Sequence, residues 1–555
     1  MSDKNQNLSE VEHIKSRSNF LRGTINEGLI DEITGSISAD DTQLIKFHGS
    51  YQQTDRDLES ERKKQKLEPL YSFMIRVRLP GGLTTPEQWI AMDKLADSHA
   101  NGTLKLTTRQ AYQLHGVLKK NLKATIASIN HSLMDTIAAC GDVNRNVMCN
   151  PNPGLSEIHA QVLKDAQEVS DHLTPQTTAY HEIWLEGQKI TETKKHQDSE
   201  PVYGDTYLPR KFKIAFAIPP RNDVDIFTND LGFTAIVKNK KLTGYNVSVG
   251  GGMGMTFGNE TTYPRLANVI GFIPREKAVE LAEKVVILQR DNGNRSDRKN
   301  ARLKYTIDRM GLDLFVKKLN DLLEVPLKPS QNYSFEAMGD EFGWKKGDDN
   351  LWYYTLFVEG GRVCDKDKKL IKTALREIAT IHEGDFRLTG NQNLVIAMVP
   401  EREKKNIEGI LRKYGAWPGA LSGIRKNAIA CVALNTCSLA FAEAERYLPS
   451  LIDKIDEILE KYKLKKEEIS IRMTGCPNGC ARPYNAEIGL VGRAVGVYNL
   501  YLGGGFTGNR LNRLYKEMVK EDEILSLLDG FFKQWAAEKK AFPHFGDFIT
   551  AKKIV

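Results

Sequence analysis

The sequence contains no long apolar run. No window approaches the roughly eighteen consecutive apolar residues that a membrane-spanning helix needs. The opening segment, MSDKNQNLSEVEH, is polar and mixed in charge, without the apolar core of a secretory signal peptide. We therefore expect a cytoplasmic protein that has no membrane partner.

Cysteine is scarce as well. The 555 residues include seven cysteines, a number that is small and odd, which argues against the disulfide framework of a secreted protein. A reducing compartment is the natural expectation, and it also suits an iron–sulfur centre.

A dinucleotide-binding fingerprint is missing too. The glycine clusters at Gly250–Gly252 and Gly503–Gly505 are not followed by Lys-Ser/Thr, and neither opens a helix as G-x-G-x-x-G. We expect strand-end turns there, or places where the backbone approaches a flat cofactor. If the chain is a redox enzyme, it does not take hydride from NAD(P)H by itself.

Charge is not strongly biased. The formal net charge of +7 is modest for this length, and the charged and hydrophobic fractions, 27% and 41%, are those of an ordinary globular protein. The run ERKKQKLE (61–68) favours a solvated helix face over a nucleic-acid interface. We expect no nucleic-acid partner, and the positive sign suits anionic ligands or an acidic protein.

Four cysteines near the C-terminal end are the most informative residues present. Cys431 and Cys437 lie in ACVALNTC, and Cys476 and Cys480 lie in TGCPNGC. Four thiolates are the ligand set of an iron–sulfur cluster, and the Gly and Pro residues around the second pair favour a tight loop with N–H groups near sulfide. Zinc is the main alternative, although the C-x5-C pair fits its usual short knuckles poorly. A set of buried free cysteines is a further alternative.

The chain contains an internal repeat. LKLTTRQAYQ (104–113) is similar to FRLTGNQNLV (386–395), and YSFMIRVRLPGG (71–82) is similar to LWYYTLFVEGG (351–361). At one fixed offset, Leu106, Thr107, Gln110 and Cys149 recur as Leu388, Thr389, Gln392 and Cys431. Such a repeat predicts two halves related by a pseudo-two-fold axis. IPPRND (218–223) stands where the second half has CPNGC, so we expect a metal site in the second half alone.

Several basic residues lie in short motifs. Taken singly, each would more often form a surface ion pair, and a lone His115 is by default structural. Lys211 and Lys213 are two apart on an expected strand, so they would point to one face and could meet one anion. The motifs are RVRLPGG with Arg76, TTRQAYQLHG with Arg109 and His115, VNRN with Arg145, and PRKFK with Lys211 and Lys213.

Together, the cysteine pattern, the repeat and the basic motifs resemble the sulfite/nitrite reductase family. The resemblance covers nearly the whole length, and its N-terminal motifs favour the sulfite branch. The stretches that carry it are FLRGTI (20–25), HGSYQQTDRDLESER (48–62), LTTRQAYQLHG (106–116), NRNVMC (144–149), TYLPRKFK (206–213), QRDNGNRSDRKNA (289–301) and TGCPNGC (474–480).

The resemblance implies an α+β (mixed α/β) protein with two pseudo-two-fold-related halves. Each half would hold a small ferredoxin-like unit and a larger α/β unit of the siroheme/[4Fe–4S] type. The expected bounds are an N-terminal arm at 1–68, ferredoxin-like half domains at 69–138 and 348–415, and α/β units at 139–330, without a cluster, and 424–555, with the cluster.

The resemblance also implies cofactors and site residues, position by position. The cofactors would be a [4Fe–4S] cluster and siroheme, an iron tetrapyrrole with many carboxylates. The cluster ligands would be Cys431, Cys437, Cys476 and Cys480, of which Cys480 also bridges to the siroheme iron. The residues lining siroheme would be Thr107, Arg109, Gln113, His115 and Asn478, and those around the substrate Arg76, Arg145, Lys211 and Lys213. One departure is Gly141, where a polar residue, often Asn, is expected.

The implied activity is the six-electron reduction of sulfite to sulfide for cysteine biosynthesis. Electrons would come from NADPH through a flavoprotein partner subunit, with ferredoxin as the less favoured donor. Two alternatives stay open: a siroheme-dependent nitrite reductase that forms ammonia, and a zinc-binding protein without catalytic activity.

Overall fold

A computed structural model describes residues 8–186, 198 and 200–555 of the chain. Residues 1–7 of the expected N-terminal arm, and residues 187–197 and 199 of the first larger unit, lie outside the described residues. Within the described ranges, no helix is long and apolar enough to span a membrane.

The first half of the chain builds a small sheet and then a larger one. Its helices are α1 (Glu10–Ser16), α2 (Ile25–Ile30), α3 (Asp41–Leu44), α4 (Glu59–Lys64), α5 (Pro86–His99), α6 (Lys119–His131), α7 (Glu157–His172), α8 (Ala179–Leu185), α9 (Ala278–Asn292), α10 (Leu303–Met310) and α11 (Leu312–Leu322). Its strands are β1 (Ser50–Thr54), β2 (Tyr71–Arg76), β3 (Leu83–Thr84), β4 (Leu104–Leu106), β5 (Tyr112–Val117), β6 (Ile214–Ala217), β7 (Arg221–Asn222), β8 (Leu231–Lys238), β9 (Lys241–Val249), β10 (Asn268–Pro274) and β11 (Ala337–Met338).

The second half repeats this order. Its helices are α12 (Ile371–Ile381), α13 (Lys404–Lys413), α14 (Gly423–Lys426), α15 (Leu448–Lys461), α16 (Glu521–Glu538) and α17 (Phe545–Ala551). Its strands are β12 (Gly343–Lys346), β13 (Trp352–Leu356), β14 (Arg362–Val363), β15 (Asp365–Lys366), β16 (Lys369–Leu370), β17 (Asp385–Leu388), β18 (Leu394–Val399), β19 (Ala428–Ala430), β20 (Ile471–Thr474), β21 (Ile488–Ala494), β22 (Val497–Leu502) and β23 (Arg513–Val519).

The two small sheets have the same topology. The first runs β1-β2-β5-β4-β14 and the second β12-β13-β18-β17-β3. Each sheet therefore ends in a two-residue strand contributed by the other half, since β14 pairs with β4 and β3 pairs with β17, both antiparallel. This reciprocal exchange joins the halves about the pseudo-two-fold axis and confirms the duplicated fold that the sequence predicts.

Glycine is required just before each exchanged strand. Gly82 and Gly361 have φ angles of +79° and +69°. A Cβ on Gly82 would lie 2.3 Å from the carbonyl oxygen of Leu388, and a Cβ on Gly361 would lie 2.3 Å from that of Leu106. The repeated Gly-Gly pairs thus permit the close crossing of the two halves.

The larger sheets match as well. They run β10-β9-β8-β6 and β19-β20-β21-β22-β23. In each, a parallel pair, β6 with β8 or β20 with β21, continues into antiparallel strands. β19 lies parallel to β20, and its counterpart in the first half is a single bridge between Met148 and Ala215.

The apolar core is continuous across the joint between the small sheets. One cluster of buried side chains includes residues of both small sheets and of the larger sheet of the first half, while the larger sheet of the second half has a core of its own. Trp89 is fully buried, with its ring 5.7 Å from Tyr112 and 5.0 Å from Phe386, centroid to centroid. An aromatic residue of each half therefore packs on the same indole.

Two details differ from the sequence-based expectation. Residues 50–54, assigned to the arm, form β1 at the edge of the first small sheet. The expectation that Lys211 and Lys213 lie on a strand is wrong, because β6 begins at Ile214. Phe212 makes only a single bridge to Asn144 and is buried, and the two lysines on either side of it are largely buried.

Candidate iron–sulfur and anion-binding site

The four cysteines lie on two loops at one edge of the last sheet. Cys431 directly follows β19, and Cys476 and Cys480 lie in the loop that follows β20. Because β19 and β20 are parallel, their carboxyl ends meet at the same edge. The Cys431 N–H donates to the Met473 carbonyl at 3.1 Å, which fixes the first loop against the end of β20.

The donor chemistry of these cysteines fits an iron–sulfur cluster. Burial, and then the charge of Cys480, raises the pKa of Cys431 well above its usual range and that of Cys476 to about 12. Buried thiolates that raise one another's pKa are stable only when cations bind them. In the described ranges, no group of three or more His, Cys, Asp or Glu side chains is placed to hold one metal ion.

N–H groups point at the sulfur atoms of two of the cysteines. The Gly475 N–H donates to Cys431 Sγ at 3.3 Å, and Asn478 Nδ2 donates to Cys476 Sγ at 3.5 Å. Such hydrogen bonds tune the reduction potential of a cluster. Asn478 therefore contacts one of the four candidate cluster ligands directly.

The cluster loops pack against the first half of the chain. The Met255 N–H donates to the Pro477 carbonyl at 3.0 Å, and Thr108 Oγ1 donates to the Cys480 carbonyl at 3.1 Å. Arg482 donates to the Thr108 carbonyl at 2.9 Å. The site thus lies between the halves, and residues of both can reach it.

The turn at residues 107–111 presents Arg109 to this cleft. Thr107 Oγ1 accepts from the N–H groups of Arg109 and Ala111, both at 3.2 Å, which shapes the turn. The Arg109 guanidinium donates to Asn229 Oδ1 at 2.9 Å and to the Ile214 carbonyl at 2.7 Å. Burial, only partly offset by Asp230, lowers the pKa of Arg109 to about 9. A further anion beside Arg109 would therefore strongly stabilise its charged form.

Two buried nitrogen atoms without partners among the described residues are available to a carboxylate-rich group. Arg109 Nε and His115 Nδ1 are buried and have no hydrogen-bond partner within the described part of the chain. His115 is 2% exposed, and burial holds its pKa well below the usual range. Buried polar atoms in native proteins are normally satisfied, so these two atoms fit siroheme carboxylates.

Gln113, Arg76 and Arg145 form a second wall. With its amide oxygen turned to the guanidinium, Gln113 accepts from Arg76 Nε at 3.0 Å. Arg76 also donates to Cys140 Sγ at 2.8 Å, and both Arg76 and Arg145 approach the Ala139 carbonyl at 3.4 Å. The two arginines are therefore neighbours.

The backbone conformation and the packing at residue 141 require glycine. Its φ is +88°, and a Cβ there would lie 2.7 Å from Cγ of Phe47 and 2.9 Å from its Cα. Its carbonyl accepts from Arg145 Nε at 2.8 Å. Glycine at this position thus permits the turn that holds Arg145.

The two lysines complete the cationic wall. Burial, followed by the charges of Arg210 and Arg302, lowers the pKa of Lys211 to about 7. Burial, followed by Lys211, lowers the pKa of Lys213 well below its usual range. Both ammonium groups also interact electrostatically with Cys480. Lys211 and Lys213 therefore lie within reach of the charge of Cys480.

Sequence reasoning missed several residues of this wall. Arg302 directly follows the quoted motif QRDNGNRSDRKNA and forms a buried ion pair with Asp230 at 2.6 Å. Lys304 donates to the carbonyls of Gly252 and Gly254, and burial lowers its pKa to about 6. The two basic residues just after this motif, Arg302 and Lys304, are the sequence feature from which they could have been predicted.

A buried ion triad behind Cys431 was missed as well. The Glu445 N–H donates to the Cys431 carbonyl at 3.1 Å. The Glu445 carboxylate accepts from Lys105 and Arg362, each at 2.6 Å. Burial alone would raise the pKa of Glu445, but the two cations lower it to about 2. Lys105 and Arg362 are paired across the exchanged strands, so the triad joins both small sheets to the cluster loop.

Comparison with known proteins establishes the class first. A family model described as the nitrite/sulfite reductase ferredoxin-like half domain matches residues 65–131 and 345–414. A second, described as the nitrite and sulphite reductase 4Fe-4S domain, matches residues 165–327, in the half that lacks the four cysteines. This chain belongs to the nitrite and sulphite reductase family, and more narrowly to its sulfite reductase hemoprotein beta-components.

Three curated relatives support the assignment to the hemoprotein beta-components. Each is a sulfite reductase (NADPH) hemoprotein beta-component. That of Oceanobacillus iheyensis is 58% identical, covering 99% of this chain and 95% of the relative. Those of Staphylococcus saprophyticus and Anoxybacillus flavithermus are 56% and 58% identical, each covering 99% of this chain and 96% of the relative.

A solved structure supports the fold. The structure of the Mycobacterium tuberculosis NirA protein matches with a TM-score of 0.79 at 24% identity, covering 98% of this chain and 97% of that one. The shared fold therefore extends over almost the entire chain.

Proposed function

We propose that this chain is the catalytic hemoprotein component of an assimilatory sulfite reductase. It reduces sulfite to sulfide for cysteine biosynthesis, with siroheme and a [4Fe–4S] cluster as cofactors. The observation that carries the proposal is the packing of the cysteine loop at Cys480 against the turn of Thr108 and Arg109 in the first half. The charge of Cys480 also reaches the basic residues Lys211 and Lys213 of that half. The hemoprotein relatives support the same activity.

The residues proposed for the cofactors are those that the cleft offers. Cys431, Cys437, Cys476 and Cys480 would hold the cluster, and Cys480 would be shared with siroheme. Thr107, Arg109, Gln113, His115 and Asn478 would line siroheme. When bound, the two cofactors supply the chemistry of accepting single electrons and passing them to the sulfur of the substrate.

Arg76, Arg145, Lys211 and Lys213 would bind the sulfite oxyanion. Guanidinium groups stay charged and offer fixed donors, so the arginines orient the oxygens. Arg76 and Arg145 are each anchored by carbonyl or sulfur contacts, which keeps their donors in place without substrate. Preorganised charge in a water-poor cleft stabilises charge that develops as S–O bonds break.

Lys211 is the proposed proton donor. Its pKa of about 7 lets it give up a proton at neutral pH and take another from solvent, which arginine cannot do. Lys213 lies beside it and shares its charge with the same site. Each oxygen that leaves as water needs protons, so one acid that reloads serves the successive steps.

A flavoprotein partner subunit is the proposed electron donor, with NADPH as the source. The chain has no dinucleotide fingerprint, and its relatives are called beta-components, a name that implies a further component. Ferredoxin is the less favoured donor. We place the assembly in the cytoplasm.

Purified protein tests the proposal. The expected result is intense visible absorption with a band in the red, acid-labile sulfide, and sulfide formation from sulfite with reduced methyl viologen. NADPH without a partner should give no turnover. A colourless protein containing zinc would contradict the proposal, and faster turnover of nitrite than of sulfite would favour the nitrite alternative.

A further inference from the structure

An exposed apolar patch lies beside the loop that carries Cys437. Leu439 and Phe441, on that loop, are 61% and 49% exposed. Val495, at the end of the β21–β22 hairpin, is 77% exposed. Large apolar side chains that stay exposed together mark an interaction site more often than a free surface.

Ring contacts connect the hairpin to the cluster loop. The Phe441 ring lies 5.9 Å from the Phe257 ring, centroid to centroid, and the Arg493 guanidinium lies 4.0 Å from the centroid of Phe257. Arg493 precedes Val495 by two residues on the hairpin. We call these five residues, Phe257, Leu439, Phe441, Arg493 and Val495, the cluster-side patch.

Two arginine side chains, Arg493 and Arg56, lie at the patch and directly behind it. Within the described residues, neither Arg493 nor Arg56 forms an ion pair with a carboxylate. Arg56 instead donates to the carbonyls of Cys437 and Ala440, so its charge lies directly behind the exposed loop. The patch thus offers an apolar centre beside the Arg493 guanidinium, with the Arg56 guanidinium bound to carbonyls behind the loop. This arrangement is complementary to an apolar surface that carries carboxylates at its edge.

Resting on the proposed function, we propose that the cluster-side patch docks the flavoprotein domain that delivers electrons, and that this domain presents an apolar centre with an acidic rim. Electron transfer slows steeply with distance, so a donor must approach a cluster ligand closely. Cys437 is on the loop that bears Leu439 and Phe441. A small interface steered by charge suits a donor that must dock and leave once per electron.

Charge reversal at the patch tests this inference. Leu439→Glu and Arg493→Glu would each be compared with Leu133→Glu, an equally drastic change at a 74% exposed position that follows α6 in the first half. Each holoenzyme is assayed with NADPH and a purified sulfite reductase flavoprotein subunit, and separately with reduced ferredoxin and with reduced methyl viologen. Intact cofactor absorption shows that each variant is folded and loaded.

The expected result is a fall in flavoprotein-driven turnover by about tenfold or more for both patch variants, with viologen-driven turnover kept within about twofold. Leu133→Glu should match wild type with both donors. Wild-type turnover should also fall with added salt, and Arg493→Glu should weaken that dependence.

Unchanged flavoprotein-driven turnover in both patch variants would overturn the inference. So would a loss of ferredoxin-driven turnover while flavoprotein-driven turnover stays normal, because the occupant would then be ferredoxin. If Leu439→Glu loses cofactor, Arg493→Glu decides alone, since it lies outside the cluster loop. Absence of viologen-driven sulfite reduction in wild type would instead contradict the proposed function, so the two failures are distinguishable.

Discussion

The polar turn at 107–111 and its repeat at 389–393 have the same backbone but different side-chain environments. Thr389 Oγ1 accepts from the N–H groups of Asn391 and Asn393 at 3.2 and 3.1 Å, as Thr107 Oγ1 does in the first turn. The residue between, Gln110 or Gln392, has a positive φ in both, 51° and 70°.

The second turn satisfies its own polar groups. The Asp340 carboxylate accepts from Thr389, Asn391 and Asn393 at 2.6 to 2.8 Å, and Asn391 also donates to the Asp223 carbonyl at 3.1 Å. In the first turn, by contrast, Arg109 Nε stays without a partner in the described residues. The same duplicated backbone therefore forms a closed structural joint where the chain's own carboxylate, Asp340, accepts from the turn. It forms an open binding cleft where no carboxylate of the described residues accepts from Arg109 Nε.

The largest expected effect comes from replacing Cys431, a proposed cluster ligand, and comparing it with Cys149, the cysteine at the equivalent position of the first half. Cys431→Ser should abolish sulfite reduction and sharply lower iron and labile sulfide, because one iron loses its thiolate. Its repeat partner, Cys149→Ser, should keep the cluster and most activity, with a packing cost alone. Metal and sulfide analysis of the pair checks this, and full cluster content in Cys431→Ser would count against the ligand assignment.

The next effect concerns the cations of the open cleft. Lys211→Ala should slow sulfite reduction by roughly 10²–10³-fold, the loss expected for one charge-assisted contact in a desolvated site. Cofactor spectra should stay normal and partly reduced products should appear. Wild-type turnover in this variant would place the proton donor elsewhere.

The pH dependence sharpens that result. With a pKa of about 7, Lys211 is an ammonium below neutrality and a neutral amine above it, so KM for sulfite should rise as pH increases through 7. Lys211→Arg should move this rise to higher pH because the guanidinium stays charged. Protonation of sulfite is common to both proteins and cancels in the comparison, so identical profiles would show that Lys211 is not responsible.

A matched pair tests the two turns directly. Arg109→Ala should yield folded protein poor in siroheme, because the buried donor for its carboxylates is removed. Asn391→Ala should keep siroheme and instead lower the free energy of unfolding by about 1–3 kcal/mol, since Asp340 loses a buried donor. Red-band absorbance and denaturant unfolding measure the two effects, and the reverse pattern would refute the comparison.

The smallest expected effect on activity comes from changing Asp223, a buried carboxylate beside the second turn at 389–393. Burial, followed by the charge of Asp340, raises the pKa of Asp223 to about 7. A carboxyl with a raised folded-state pKa favours folding at low pH, and this contribution is lost as pH rises towards 7. Asp223→Asn should therefore flatten the fall in stability between about pH 4 and 7 while leaving turnover near wild type.

The sequence predicted the duplicated fold because repeats survive in local patterns such as Leu-Thr-x-x-Gln and Gly-Gly. It could not predict the exchange of β3 and β14, which depends on pairing between distant segments. It also missed Asp340, the Glu445 triad and Arg302, since their partners lie far away in sequence. The assignments of individual residues to cluster, siroheme and substrate stay predictions.

The central claim is that the second half alone holds a cluster that works with siroheme to reduce sulfite completely. The most direct test measures sulfide formed by the pure chain against electrons consumed from reduced methyl viologen. We expect six electrons to be consumed per sulfide, without release of intermediates. No sulfide, or sulfide from a Cys431→Ser variant at the wild-type rate, would contradict it.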